Sequence, residues 1–399
     1  MLRPARTPPR LATLILLSAL SVVSLNLFLP SLAAIARAFG TDDAVVTLAI
    51  SGYAGVTAVL QLVIGPLSDR FGRRPVMLVS LAVFAAASLG CLLAPDIVTF
   101  LTFRMLQAAI VSGYAVSSAA IADTNTRDRA ASRMGYVASF WALGPMLAPM
   151  LGGALDEGFG WRASFWAFVV LGVAAFAVAW SDFGETNTRR AGSVGAQIRR
   201  YPELLRARSF WGYALCRAFS TGTFYAFLGG APLAAVQSFG IGSGRLGIYM
   251  GVMSGGFVVG NYLSGRYAER AGLARMMIAG RLTASAGLAA GLALLLAGLV
   301  HEAVLFGACV LAGLGNGLTM PSANAGAMAV RPDLAGSAAG VTGALALACG
   351  ALVSGLTGAL LSPAQAAPTL LAVMLASSML ALAAALEVRR LDRRAAAGA

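Results

Sequence analysis

Three arginines, Arg104, Arg217 and Arg281, stand inside long apolar runs of a 399-residue chain, and all 29 of its basic residues are arginine. None of its 16 acidic residues shares the interior of those runs; they gather near the ends. A guanidinium keeps its proton in a protein, so these positions can donate hydrogen bonds and hold anions but cannot act as acids or bases. Amides, hydroxyls and aromatic rings recur around them at helical spacing. Tyr53, Thr57 and Gln61 follow one another at steps of four, and Arg104 is continued by Gln107, Val111 and Tyr114. Arg217 is followed by Thr221, Phe224 and Tyr225, while Asn316, Met320 and Asn324 form a further stripe. Trp141 precedes the pair Gly144-Pro145, and Asn26 ends an apolar run just before Pro30. Such stripes can hydrogen-bond neighbouring helices, or together line a cavity of amides, aromatic faces and one or two guanidiniums that suits small, partly apolar ligands.

Other chemistries are excluded. The single histidine, His301, falls at the edge of an apolar run, which argues against a metal centre and against a triad with a histidine base. Cys91, Cys216, Cys309 and Cys349 lie inside apolar runs without paired spacing and read as small buried side chains, neither a disulfide framework nor a metal site. No enzyme, no cofactor and no metal is expected. The net charge of +13 is not a nucleic-acid footprint, because the arginines alternate with apolar runs instead of covering one face of a soluble domain.

The elements that must position these residues follow from composition. The chain is 58% hydrophobic and 11% charged, against roughly a quarter charged in soluble domains. An all-α integral membrane protein is the class that fits. A helix needs about 20 mostly apolar residues to cross the hydrocarbon core. Twelve such runs are predicted, at 11–36, 44–67, 75–94, 97–122, 130–156, 163–182, 209–235, 246–265, 276–299, 303–330, 334–361 and 368–388. Arg3, Arg6 and Arg10 precede the first, but Leu11–Leu29 exceeds the about 7–15 residues of a signal-peptide core, so an uncleaved first span is expected.

Arginine also orients the runs. With both termini cytoplasmic, 23 of the 29 arginines fall on the cytoplasmic side and only Arg37, Arg162 and Arg245 on the other. The longest polar stretch divides the chain into a six-helix bundle at 1–183, a cytoplasmic central loop at 184–208 and a second six-helix bundle at 209–399. The halves echo one another: Gly65-Pro-Leu-Ser-Asp69-Arg70-Phe-Gly72 follows span 2, and Ser264-Gly-Arg266-Tyr-Ala-Glu269-Arg270-Ala-Gly272 follows span 8. Two pseudo-symmetric halves are the architecture of a rocking transporter.

At these residues the chain resembles the major facilitator superfamily. GPLSDRFGRRP at Gly65–Pro75 matches that superfamily's loop 2–3 signature. Leu147–Gly153 in span 5 resembles the motif of drug antiporters, and Phe103-Arg104-Met-Leu-Gln107 in span 4 the arginine motif linked to proton coupling. Asn26–Pro30, Gly160-Trp161-Arg162, Glu185-Thr186, Pro321–Asn324 and Ala335-Gly336-Ser337 are similar to the Bcr/CflA drug-resistance branch, so the likeness covers essentially the whole chain. Two positions depart from it: Asn26 stands where the branch commonly carries aspartate, and Ala108 where a glycine usually follows the span 4 glutamine.

The loop residues Asp69, Arg70, Gly72, Arg73 and Arg74 are expected to act as a gate latch. The Asp69 carboxylate would face the N-terminal end of span 11 just after Pro332, and Arg73 would bridge to Asp123. Gly144, Pro145, Pro149, Gly152 and Gly153 in span 5 are expected to form a kinked, smooth hinge against Gly247, Gly251 and Gly255 of span 8. The cavity is assigned to Asn26, Tyr53, Gln61, Arg104, Gln107, Tyr114, Trp141, Arg217, Phe224, Tyr225, Asn316 and Asn324. The resemblance implies export of small amphipathic compounds, drugs among them, by alternating access in exchange for protons. The protein would work as a monomer in a bacterial inner membrane. Composition points elsewhere for the coupling, since no span interior holds a carboxylate and only Asp69, Asp123 or His301 could carry a proton. The alternatives are a facilitator or a carrier of one metabolite (a nucleobase, amino-acid derivative or siderophore), or an anionic substrate held by Arg104 or Arg217.

Overall fold

The computed structural model describes residues 7–125, 127–187, 204–331 and 334–397, and among these every regular element is helical. Helix α1 (Leu11–Asn26) passes through a 3-10 turn at Leu29–Ser31 into α2 (Leu32–Phe39). The break falls at Pro30, whose missing N–H cannot continue the helical ladder. Then come α3 (Asp43–Phe71), α4 (Arg73–Leu93) and α5 (Ile97–Leu106). A second 3-10 turn, Gln107–Val111, joins α5 to α6 (Ser112–Thr124), and α7 (Arg127–Phe159) and α8 (Arg162–Asp182) complete the first half. The second half comprises α9 (Arg208–Phe239), α10 (Ser243–Ala271), α11 (Leu273–Leu296), α12 (Glu302–Ala329), α13 (Ala335–Leu360) and α14 (Ala366–Ala397).

Ten helical stretches among the described residues are long and apolar enough to cross a membrane. The expected runs at 130–156 and 209–235 lie in α7 and α9, which are not among the ten. Several side chains of α7 lie outside the described set. Helix α9 interleaves serines, threonines, glycines and Arg217 with its apolar residues and buries most of its length among other helices, so it needs little lipid-facing surface.

The internal repeat shows in the backbone of one helix pair. Helices α3 and α10 both hold 29 residues and begin at Asp43 and Ser243. Gly40 and Gly240 precede them in the left-handed region, at φ 59° and 62°. Gly72 (φ 101°, ψ 151°) and Gly272 (φ 85°, ψ 149°) end them. A side chain at either of the last two positions would be strained, and this is why both copies of the loop signature end on glycine.

Within the first half α1 packs on α6 and α7, and α4 on α8, around a cluster of Phe28, Phe84, Phe100, Trp161, Phe165 and Phe168. Asp96 caps α5 there, accepting from the Thr99 N–H at 2.9 Å and the Thr99 hydroxyl at 2.8 Å. These donors hold its carboxyl below the usual carboxylate range. In the second half α12 packs on α10 and α11, while α9 packs on α13 and α14.

The halves meet along α3 against α13 and α7 against α10. Both seams are lined by small residues, as expected where lipid gives helices no hydrophobic reason to associate. At the end away from the arginine-rich loops the fit is close. Gly358 faces Thr47, Gly153 faces the Ser243 carbonyl, and Gly247 faces the Pro149 carbonyl. The Asp43 carboxylate accepts from the Gln237 amide across the same end. One turn beyond Gly251, a side chain at Gly255 would meet nothing within 4 Å. Its neighbour Ser254 still reaches α7, donating to the Pro145 carbonyl at 2.8 Å.

Candidate functional site

The loop signature builds a compact polar cluster. The turn at Gly72 aims the first N–H groups of α4 at Glu185, which follows α8. The N–H groups of Arg73 and Arg74 donate to its two oxygens at 2.9 and 3.2 Å. A carboxylate here meets both the unpaired N–H groups and the positive end of the helix dipole. Arg73, 8% exposed, pairs through Nη2 with Asp69 at 2.5 Å and through Nε with Asp123 at 3.1 Å, and donates to Ser68 Oγ at 2.5 Å. Thr186 donates to the same Asp123 oxygen, and the Asn187 amide to the Asp69 carbonyl. Arg74 donates to the carbonyls of Phe183 and Trp180 and lies 5.5 Å from the Trp180 ring centroid, and Arg70 lies over Phe71.

The structure therefore brings Asp69, Gly72, Arg73, Arg74 and Asp123 together, but ties α3, α4, α6 and α8 of one half. The Asp69 carboxylate is engaged by Arg73, four residues on; Pro332, beside which the start of span 11 was expected to meet it, lies outside the described residues. Glu185, whose carboxylate organises the cluster, drew attention in the sequence only as part of a family likeness. Its acidic type just after a span opposite Arg73-Arg74 was the available signal.

Arg104 forms a second constellation. Its side chain is fully buried, with its guanidinium between the rings of Phe28 and Tyr53 at 4.3 and 4.2 Å. Nε donates to the Ala49 carbonyl at 3.2 Å, Nη2 to the Ser24 carbonyl at 3.0 Å, and Nη1 to Gln107 Oε1 at 2.7 Å. Gln107 in turn donates to Ser88 at 2.7 Å. The Ser24 carbonyl is available because α1 ends at Asn26, while the Ala49 carbonyl, inside the unbroken α3, takes the bond on its second lone pair. Four helices are riveted by one cation, and its desolvation is offset by neutral hydrogen bonds and two ring faces. Arg104, Gln107, Tyr53 and Asn26 are thus buried, and Tyr225 of the second half lies within electrostatic reach of Tyr53 and Arg104. Asn26 bonds its own helix, donating to the Val22 carbonyl at 2.8 Å. Helical spacing identified the shared face correctly but could not show that it looks toward a neighbouring helix.

Two arginines serve the second half. Arg281, fully buried, donates to Thr319 Oγ1 at 2.9 Å and Asn316 Oδ1 at 2.7 Å. Asn316 is correspondingly enclosed, 1% exposed, and is removed from the cavity. Arg217 is only half-buried, and its Nη1 donates to Asn324 Oδ1 and Thr342 Oγ1, both at 2.9 Å. Tyr114, from the first half and 40% exposed, lies within electrostatic reach of Arg217. Gln61 lies against Gly343, beside Thr342. Gln61, Tyr114, Arg217 and Asn324 are therefore gathered on facing walls between the halves. Half-buried Phe224 lies two turns along from Arg217, whereas Tyr225 is buried against Gly350. The Trp141 side chain lies outside the described residues.

The span 5 and span 8 residues do pair. Pro149 has no N–H to give to the Pro145 carbonyl, and Ser254 of α10 donates to that carbonyl instead, at 2.8 Å. A side chain at Gly144 would collide with Val22, at Gly152 with the Leu27 carbonyl, and at Gly251 with Met150 Sδ, 2.8 Å away. Glycine lets α7 touch both α1 and α10.

Comparison with known proteins agrees with this architecture. The chain is 35% identical over 243 residues to a chloramphenicol resistance protein of Pseudomonas aeruginosa, covering 59% of this chain and 56% of that one. It thus matches little more than half the length of that relative. It is 30% identical over 263 residues to the multidrug transporter MdfA of Edwardsiella ictaluri (65% and 64% of the two chains) and 29% identical over 360 residues to the MFS-type transporter YdgK of Bacillus subtilis (88% and 89%). In structure it resembles a bacterial homologue of the human lysosomal transporter Spinster in an inward-facing, occupied conformation, with TM-score 0.76, 18% identity and 98% of each chain covered. The description of the Major Facilitator Superfamily matches residues 14–355, and with the repeated loop signature, the paired glycines and the two facing halves in place, the chain belongs to that superfamily of membrane transporters.

Proposed function

We propose that the protein is a twelve-span exporter of small amphipathic compounds, drugs among them, in a bacterial inner membrane. Both termini lie in the cytoplasm, and bundles 1–183 and 209–399 rock about the α3–α13 and α7–α10 seams of a single copy. One observation carries the reading: at the arginine-poor end both seams close on glycine, with Gly358 against Thr47, Gly153 against the Ser243 carbonyl and Gly247 against the Pro149 carbonyl. Close packing of the halves at one face is what one state of an alternating-access cycle requires, and the concentration of arginines places the opposite face in the cytoplasm. The drug-resistance and multidrug relatives support the substrate range. Exchange for protons completes the reading, with Asp69, Asp123 and His301 as the candidate carriers.

The test is transport by the full chain in proteoliposomes. Chloramphenicol, ethidium and neutral dyes are offered with and without an imposed pH gradient. Transport that follows the gradient supports the exporter with proton exchange, and gradient-independent movement leaves a facilitator. No movement of any compound overturns the reading.

A further inference from the structure

Of the three guanidiniums inside the spans, two are committed to the protein. Arg104 is enclosed between two rings with Nε, Nη1 and Nη2 all donating, and Arg281, though its Nη1 has no partner among the described residues, is sealed between α11 and α12 with no exposed surface. Arg217 differs. It is half-buried on a wall between the halves, and both acceptors that hold it bind the same nitrogen, Nη1. The side chain is thereby pinned in position while Nε–H and Nη2–H, which point along one edge of the guanidinium, meet no acceptor among the described residues. That edge is the fork that matches a carboxylate bidentately.

Its surroundings reinforce the sign. Asn324 gives its oxygen to Arg217, which leaves its Nδ2 as a further donor at the same place. Tyr114 lies within electrostatic reach of Arg217 from the opposite half. No aspartate or glutamate lies inside a span to serve as counter-ion. A cation held among helices without an anion is costly, and an anion brought by the substrate would lower that cost. A cationic compound would find no carboxylate in the spans.

We propose that Arg217 is the recognition group of the transport cavity and that the preferred substrates carry a carboxylate, or another delocalised oxyanion, on an apolar body. This rests on the exporter reading above and narrows it. The carboxylate takes Nε–H and Nη2–H of Arg217 with Asn324 Nδ2–H beside it, and the apolar body lies toward Phe224.

The experiment measures binding by the purified full chain of three probes of one shape: 2-naphthoate, its neutral amide and 2-naphthylmethylammonium. Wild type is expected to bind naphthoate about tenfold or more tighter than the amide, the worth of a charge-assisted pair. Arg217→Gln should abolish the preference, bringing naphthoate to the level of the amide. Asn324→Asp, which supplies Arg217 with an internal carboxylate and disturbs the packing less, should do the same and covers the case of an unstable Arg217→Gln. Equal affinity for acid and amide in wild type, tighter binding of the ammonium, no binding of naphthoate, or a preference that survives both substitutions would each overturn the proposal. Binding is read without transport. A carboxylate preference in a protein that moves no compound in proteoliposomes therefore sinks the exporter reading and leaves the anion site standing.

Discussion

The hydroxyl of Ser254 in the second half donates to the carbonyl of Pro145 in the first, 2.8 Å away, and that carbonyl is available only because Pro149 cannot bond it. A proline in one bundle has been given its hydrogen-bond partner by the other, at the seam about which the two must move. Ser254→Ala should leave a carbonyl unsatisfied, at a cost of about 1–3 kcal/mol, and lower the melting temperature. Pro149→Ala restores an N–H four residues on, so the double variant should recover part of that loss. A double-mutant cycle in detergent checks it: a coupling of about 1 kcal/mol is expected, and simple additivity would count against the relationship.

Gly72 and Gly272 share a backbone conformation but not their surroundings. A Cβ at Gly72 would strike the Glu185 carboxylate, whereas at Gly272 nothing lies within 4 Å. Both Gly→Ala variants should incur backbone strain of about 1–3 kcal/mol. Only Gly72→Ala should in addition displace Glu185 from the start of α4. The expected order of melting temperatures is wild type, Gly272→Ala, then Gly72→Ala, and a reversed order would refute the account of the Glu185 cap.

Asp69 and Asp123 share Arg73, whose side chain is the least exposed of the three. Asp69→Asn keeps the shape and removes one charge of a partly exposed network worth about 1 kcal/mol. Insertion and expression should be unchanged, while transport falls about fivefold through a shifted gate equilibrium. Wild-type rates in a normally expressed variant would remove the cluster from the gate.

Asp96 gives a pH prediction with a definite sign. Its carboxyl is held below the usual range by the Thr99 N–H and hydroxyl. The stability it contributes is therefore complete above the ordinary carboxylate pKa and is lost as pH falls through its lowered value. Melting temperature measured down the acid range should fall less steeply in Asp96→Asn than in wild type; parallel curves would contradict the assignment.

Much of this architecture can be read from residue order alone, because glycine, proline and arginine act locally. Gly65–Pro75 announces its turn, and Pro145, Pro149, Gly152 and Gly153 announce a helix that bends and admits a close neighbour. Arg73 and Asp123 were paired on charge and loop position, and the structure places them 3.1 Å apart. The polar stripes were harder, because helical spacing states which residues share a face but not what lies opposite. Arg104 and Arg217 look alike in sequence. Packing makes the first a rivet between α1, α3 and α4 and leaves the second on a wall. Asn316 and Asn324, eight residues apart on one stripe, are divided in the same way, since Arg281 claims the first. Helix α9 shows the reverse difficulty: its small polar residues make it a poor lipid-facing helix and a good central one.

The glycine-lined seams also decide where this protein can vary. At Gly152, Gly153 and Gly247 the atom that an added methyl would meet is a backbone carbonyl, of Leu27, Ser243 and Pro149 respectively. Backbone cannot swing aside as a flexible side chain does, so enlargement there displaces a whole helix. Residues such as Tyr114, Phe224 and Asn324 carry no such constraint on their open side. A lineage of this protein selected on new compounds would keep its seams almost unchanged and diversify along the walls, with drift in substrate range proceeding faster than drift in fold.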